Sequence, residues 1–145
     1  VNIPENTPLV EFDYVLRSRY GETDKMGYVY YGRYLEYFEV ARTEMIRSYG
    51  LSYSKMEDEG IMLPVIHAEL EYKSPVFYDE EIIIRVLVYD MPGVRLKTYY
   101  KVIAKERDQL CVLGEVSLCF MDDKTRRPTR APKYFLDQFE KEISG

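Results

Sequence analysis

Residues Arg19–Arg42 read R-Y-G-E-T-D-K-M-G-Y-V-Y-Y-G-R-Y-L-E-Y-F-E-V-A-R, and the change of pattern inside this stretch decides the fold. Its first half holds turn formers and an acid, Thr23-Asp24-Lys25-Met26-Gly27. Its second half has helical period. At about 100° per residue, Tyr34, Phe38, Ala41, Met45 and Tyr49 share one face, with Tyr31 and Leu35 beside them. Arg33, Glu36, Glu44 and Arg47 fall on or near the other face. The spacing predicts a helix that starts around Tyr30 to Gly32 and ends near Gly50, a good residue for the position after a helix. An acid-bearing loop therefore leads to a helix amino end, where backbone N–H groups are free and the helix dipole is positive.

Outward from this stretch the period changes to two. Before it, Phe12, Tyr14, Leu16, Ser18 and Tyr20 alternate with Glu11, Asp13, Arg17 and Arg19, which predicts a half-buried strand. After it, Ser54 to Glu59 offers one more helical turn, and Met62 to Tyr72 a strand with Ile66, Ala68, Leu70 and Tyr72 on one face. Glu81 to Asp90 is rich in β-branched residues and predicts a third strand. Met91-Pro92-Gly93-Val94 fits a type II turn, and Val94 to Lys105 alternates cleanly. Leu110 to Met121 is mostly apolar on both faces, which predicts a central strand. Pro132 to Glu142 predicts a short terminal helix. One apolar helix and one antiparallel sheet must cover each other, which predicts an α+β chain whose sheet curls around the helix.

The chain has 145 residues, the size of one domain able to bury a core, so residues 1–145 are expected to form a single domain. A formal charge of −5 argues against a general nucleic-acid binder. No apolar run approaches the roughly 20 residues of a membrane span, and V-N-I-P-E-N-T-P at the start lacks the character of a signal peptide. Cytoplasm is the expected location. Cys111 and Cys119 lie about 27 Å apart on one predicted strand, too far to bridge, and read as small buried hydrophobes. Fifteen tyrosines occur, with no tryptophan. Six of them fall in Arg19–Arg42, enough for some to line a pocket while the rest pack.

Several chemistries are struck out by what is missing. The only histidine, His67, has the strand parity opposite to Ile66, Ala68 and Leu70, which makes it a surface residue rather than the base of a Ser-His-Asp or Cys-His set. One histidine and two separated cysteines make a poor zinc site, so no metal is expected. Neither of the glycine-rich nucleotide fingerprints occurs. A carboxylate remains. On pattern alone Asp24 is a turn former or helix cap. Its place shortly before a helix start gives it a second reading, because an ordinary aspartate is ionised at neutral pH and can attack a carbonyl or deprotonate a water. A thioester suits so modest a toolkit, since its thiolate leaves without a donated proton.

The run T-D-K-M-G-Y-V-Y-Y-G-R-Y-L-E-Y-F-E-V-A-R resembles the signature of hotdog-fold acyl-CoA thioesterases, in the branch of 4-hydroxybenzoyl-CoA thioesterase and the Tol–Pal-associated thioesterases. E-Y-K-S-P-V-F-Y-D-E at Glu71–Glu80 and R-R-P-T-R-A-P at Arg126–Pro132 add to the likeness, which spans almost the whole chain. The resemblance implies a hotdog fold, with a five-stranded antiparallel sheet wrapped around one long central helix. It also implies dimers and usually tetramers, with the active site at the subunit interface. Carried over by position, Asp24 is the catalytic carboxylate and the backbone N–H of Tyr31 holds the thioester carbonyl oxygen. Many relatives carry His where this chain has Tyr31, and others carry Tyr.

The expected function is hydrolysis of an acyl-CoA or acyl-carrier-protein thioester, with no cofactor beyond the coenzyme A of the substrate. Gly27 and Tyr30 are candidate substrate-binding residues beside Asp24. An acidic protein needs local positive charge to hold polyanionic coenzyme A, and the candidates are Lys73, Arg95, Lys97, Arg126, Arg127 and Arg130, with Lys73, Arg126 and Arg127 preferred. Arg42 flanks the apolar helix face and needs a partner, for which Glu39 is available one turn earlier. Two rivals stand beside the thioesterase: a non-catalytic hotdog module that binds acyl-CoA, and a hotdog dehydratase, which would call for a better-placed histidine.

Overall fold

The computed structural model describes residues 1–144. The strands are β1 (Val10–Arg17), β2 (Ile61–Met62), β3 (Val65–Tyr72), β4 (Glu81–Val88), β5 (Arg95–Ala104), β6 (Gln109–Cys119) and β7 (Met121–Asp122). The helices are α1 (Arg33–Ser48), α2 (Tyr53–Asp58) and α3 (Lys133–Ser144), with a 3-10 turn at Tyr20–Glu22. Five strands form one sheet in the order β1-β4-β5-β6-β3, and β2 pairs separately with β7. Every pairing is antiparallel. The α+β class and the five-stranded antiparallel sheet agree with the sequence. Helix is shared among three elements, of 16, 6 and 12 residues, rather than gathered into one.

The alternation read from the sequence sets the inner face. Phe12, Val86, Tyr100, Gly114 and Leu70 lie side by side across the sheet. In this row Phe38 of α1 stacks on Tyr100 with ring centroids 4.2 Å apart, a contact worth about 0.5–1.5 kcal/mol beyond its buried area. Gly114 makes room for it: a Cβ there would lie 2.3 Å from the Phe38 ring. β5 is the middle strand and β6 the next, so β6 is interior but not central, a correction to the sequence reading. β3 forms one edge of the sheet, and Val65, Ile66 and Tyr72 on it stay exposed.

Three local readings need correction. The predicted strand Met62–Tyr72 is split in two, because Pro64 has no N–H to give a ladder. Gly93 lacks the positive φ of a type II turn. Its segment is fixed from outside instead, with Ala131 N–H donating to the Gly93 carbonyl at 2.7 Å and Phe120 N–H to that of Val94 at 2.9 Å. The buried face of α1 is also wider than predicted, taking in Tyr37, Arg42 and Ile46 while Leu35 is left 41% exposed. Arg42 is buried, and its guanidinium donates to the hydroxyls of Tyr53 at 3.2 Å and Tyr100 at 2.9 Å rather than to Glu39. Gly50 ends the helix region at φ +76° as expected, and both cysteines are buried and free.

Candidate active site

The loop before α1 is a short hairpin closed by a bridge between Thr23 and Val29. Asp24 shapes it from inside: its Oδ1 accepts from the N–H groups of Met26 at 2.9 Å and Tyr28 at 3.1 Å. Gly27 sits at φ +78°, the left-handed region that glycine reaches without cost, and its N–H donates to the Asp24 carbonyl at 3.1 Å. One carboxylate oxygen is thus committed to the turn. The other, Oδ2, has no hydrogen-bond partner among the described residues.

From this hairpin the chain turns into the helix. Arg33 N–H donates to the Tyr30 carbonyl at 2.9 Å, closing a turn through Tyr31 and Gly32. Gly32 is the N-cap and supplies no side chain to cap the helix. The N–H groups of Tyr31 and Gly32 have no partner among the described residues, so two donors stand free at the positive helix pole. Asp24 and Tyr31 line one cleft of about 370 Å³, together with Tyr28, Tyr34, Tyr72 and Lys73. Burial pushes the Tyr34 hydroxyl up to about 12, and burial with Tyr31 nearby raises that of Tyr72. At neutral pH both are uncharged, able to donate and unsuited to act as bases.

The other candidates are spread over the molecule. Gly27 belongs to the hairpin and lines a separate hollow with Asp24, Tyr20 and Tyr78. Tyr30 lies beside the cleft, with its ring 4.5 Å from that of Tyr31. Lys73 is in the cleft wall and ion-paired with Glu71. Arg126 and Arg127 are exposed on the turn after β7, where Arg126 touches Met62. That is the Val65 end of β3, whereas the Asp24 cleft is at its Tyr72 end, about 23 Å away at the usual strand rise. Within one protomer the two arginines are not brought to Asp24. Lys97 projects from the outer face toward Glu115, and Arg95 and Arg130 are exposed elsewhere. His67 is on the outer face as predicted, near Glu69 and Glu115. Donor atoms of these three lie within 4.8 Å of one another, remote from the cleft and shared with Lys97. A larger cavity, about 690 Å³, opens at the Val65 end between Arg42, Tyr53, Met56 and Leu118. Neither Asp24 nor the start of α1 lines it.

Sequence reasoning missed the residues that hold the site in place. Glu22 is buried, accepts from the Tyr37 hydroxyl at 2.9 Å and ties the 3-10 turn to α1. Behind the hairpin, Val29 N–H donates to the Val76 carbonyl at 2.8 Å and Tyr78 N–H to that of Gly27 at 3.0 Å. The 76–80 segment is anchored in turn by Glu80, whose carboxylate accepts from Arg107 Nε at 2.6 Å, Arg107 Nη2 at 3.0 Å and Phe77 N–H at 2.9 Å. Burial alone would raise the Glu80 carboxyl, but the Arg107 and Phe77 bonds outweigh it and hold it below the usual range. Its folded pKa is below its unfolded one. The stabilisation is therefore present above the ordinary carboxylate range and is lost as pH falls through the depressed folded value. Glu80→Gln is expected to lower the melting temperature at neutral pH and to flatten its decline between about pH 6 and pH 2. Parallel melting curves for parent and variant would count against this anchor.

Residues 18–139 match the thioesterase-like superfamily. The chain belongs to that superfamily. Among its relatives is YneP of Bacillus subtilis (strain 168), provisionally named an acyl-CoA thioesterase, 35% identical over 122 residues that cover 84% of this chain and 88% of YneP. The acyl-CoA thioester hydrolase YbgC of Escherichia coli O6:H1 is 29% identical over 135 residues, 93% of this chain and 98% of YbgC. The crystal structure of a DHNA-CoA thioesterase from Staphylococcus aureus superimposes with a TM-score of 0.83 at 32% identity, covering 92% of this chain and 91% of the other. The resemblance to hotdog-fold thioesterases carried by Thr23–Arg42 is thereby borne out. No helix of this superfamily member is long and apolar enough to cross a membrane among the described residues.

Proposed function

We propose that this chain is a hydrolase of acyl-CoA or acyl-carrier-protein thioesters, with Asp24 as its catalytic carboxylate. The observation that carries the reading is the cleft that Asp24 shares with Tyr31, whose N–H is free just before α1. A thioester carbonyl oxygen accepts from the Tyr31 N–H, which stabilises the negative charge that builds on it. The free Oδ2 of Asp24 acts on the carbonyl carbon, directly or through one water. The carbon–sulfur bond then breaks and the thiolate leaves. The acyl group goes to that water as the carboxylic acid or, after direct attack, to an Asp24 anhydride that a water hydrolyses, freeing the acid and restoring the carboxylate. No step is assigned to a metal or redox group. Tyr30 and Gly27 flank the reacting centre, and Lys73 offers charge to the coenzyme.

The reading extends to architecture and assembly. Residues 1–145 act as one domain in which the sheet wraps around α1, and the protein works in the cytoplasm. Two copies join along the exposed edge of β3, since a free strand edge is a template for pairing. Antiparallel pairing of β3 with itself sets the Val65 end of one copy beside the Tyr72 end of the other. Arg126 and Arg127 of the second copy then approach the Asp24 cleft, and its larger cavity adds room for an acyl group. Such dimers pair into tetramers. Support for the border comes from Val65, Ile66 and Tyr72, large side chains left exposed on one strand. Ile66→Lys is expected to shift the protein toward monomer in sedimentation velocity and to lower turnover with it. A monomeric parent at full activity would refute a shared site.

The decisive experiment is a panel of acyl-CoA thioesters assayed for thiol release. Turnover that depends on Asp24 supports the hydrolase. Binding without turnover across the panel would favour the acyl-CoA-binding module, which the engagement of Asp24 Oδ1 in an ordinary turn also fits.

A further inference from the structure

The turn that presents the free donors is held from outside by one hydroxyl. Tyr72, the last residue of β3, donates its O–H to the Tyr31 carbonyl at 3.0 Å, across 41 positions of sequence. Its ring meets those of Tyr31 edge-on, with centroids 6.4 Å apart, and of Tyr34 at 5.8 Å. Tyr72 stands on the inner face, paired across the ladder with Val112, so its backbone is fixed by the sheet. The Tyr31 carbonyl and the Gly32 N–H belong to one planar peptide unit, and no peptide among the described residues is cis. In a trans peptide these groups point in opposite directions. A hydroxyl that fixes the carbonyl therefore fixes the direction of the Gly32 N–H. It also polarises the unit, which makes that N–H a better donor.

We infer that Tyr72 is a positioning residue for thioester hydrolysis, its hydroxyl fixing the Tyr31–Gly32 peptide and with it the turn that presents the Tyr31 N–H to the cleft. This deepens the thioesterase reading and rests on it. Tyr72 forms no bond to the reacting atoms and acts through the peptide. The hydroxyl must keep its proton to donate, and its burial favours the protonated form.

Tyr72→Phe keeps the ring and deletes the bond. On the best thioester of the panel, kcat is expected to fall about 10- to 100-fold, because small misplacements of a preorganised donor cost that much. KM and the melting temperature should stay close to the parent's. In a ¹⁵N spectrum the Gly32 amide should move upfield, as expected when the carbonyl of its own peptide unit loses a donor. An unchanged kcat, or a loss confined to KM, overturns the inference; the second outcome would make Tyr72 a plain substrate contact. A Gly32 amide that does not move overturns it as well. If the parent turns over no thioester while the amide still shifts, the hydrolase reading fails and the hydrogen bond is sound, so the two failures are told apart.

Discussion

Asp24→Asn is expected to fold, to bind acyl-CoA and to lose turnover by about 10³-fold or more, the range for removal of a reacting base or nucleophile. The turn should survive because an Asn carbonyl oxygen can accept the same N–H bonds from Met26 and Tyr28 that Oδ1 accepts now. What changes is the other atom, where an amide nitrogen replaces a free anionic oxygen. Asp24→Ala removes both roles and should weaken the hairpin as well, so its melting temperature falls while that of Asp24→Asn does not. Thiol release measured beside thermal melts separates the two. Parent-like hydrolysis by Asp24→Asn would move the chemistry to another residue and leave Asp24 as a turn former.

Gly114→Ala should be among the most damaging single-methyl changes in this chain. The added Cβ would meet two Phe38 ring carbons at 2.3 and 2.5 Å, and the ring cannot retreat because Tyr100 is stacked on it. Phe38 and Tyr100 are both fully buried, so relief requires α1 to move. Overpacking of this kind costs about 1–3 kcal/mol, or a drop of roughly 3–10 °C in melting temperature for a chain of this length. The smaller side chain of Phe38→Leu in the same background should restore part of the loss, a non-additivity that marks direct contact. Full additivity of the two changes would show that the clash is absorbed elsewhere.

Most of the scaffold was legible because two periods carry it. The alternation around Phe12, Tyr14 and Leu16 and the long apolar run of β6 named strands and faces correctly. The helical period named α1 but misjudged its width. Period reports where a residue points, and the elements that cover it decide what is buried, so Tyr37, Arg42 and Ile46 went unrecognised. Arg42 shows the limit most sharply. A local i−3 partner was the natural expectation, yet the guanidinium reaches a tyrosine 58 positions away. The candidate site was legible as a loop, an acid and a helix start, all local in sequence. Tyr72 and Glu80 were not, since each acts through a contact made by sheet pairing or loop docking, and nothing in their own neighbourhoods announces it.

The Asp24 hairpin leans on the 76–80 segment, which Val76 roots in the core and Ser18 ties to the end of β1, and which the salt link from Glu80 to Arg107 fastens at its far end. Acid should therefore slacken the reaction centre first, with the β-sheet still intact. Catalysis would fade over a pH interval in which the far-ultraviolet spectrum reports a native protein. Two acid midpoints, one for work and one for shape, with the first moved by Glu80→Gln, would be the fingerprint of that link.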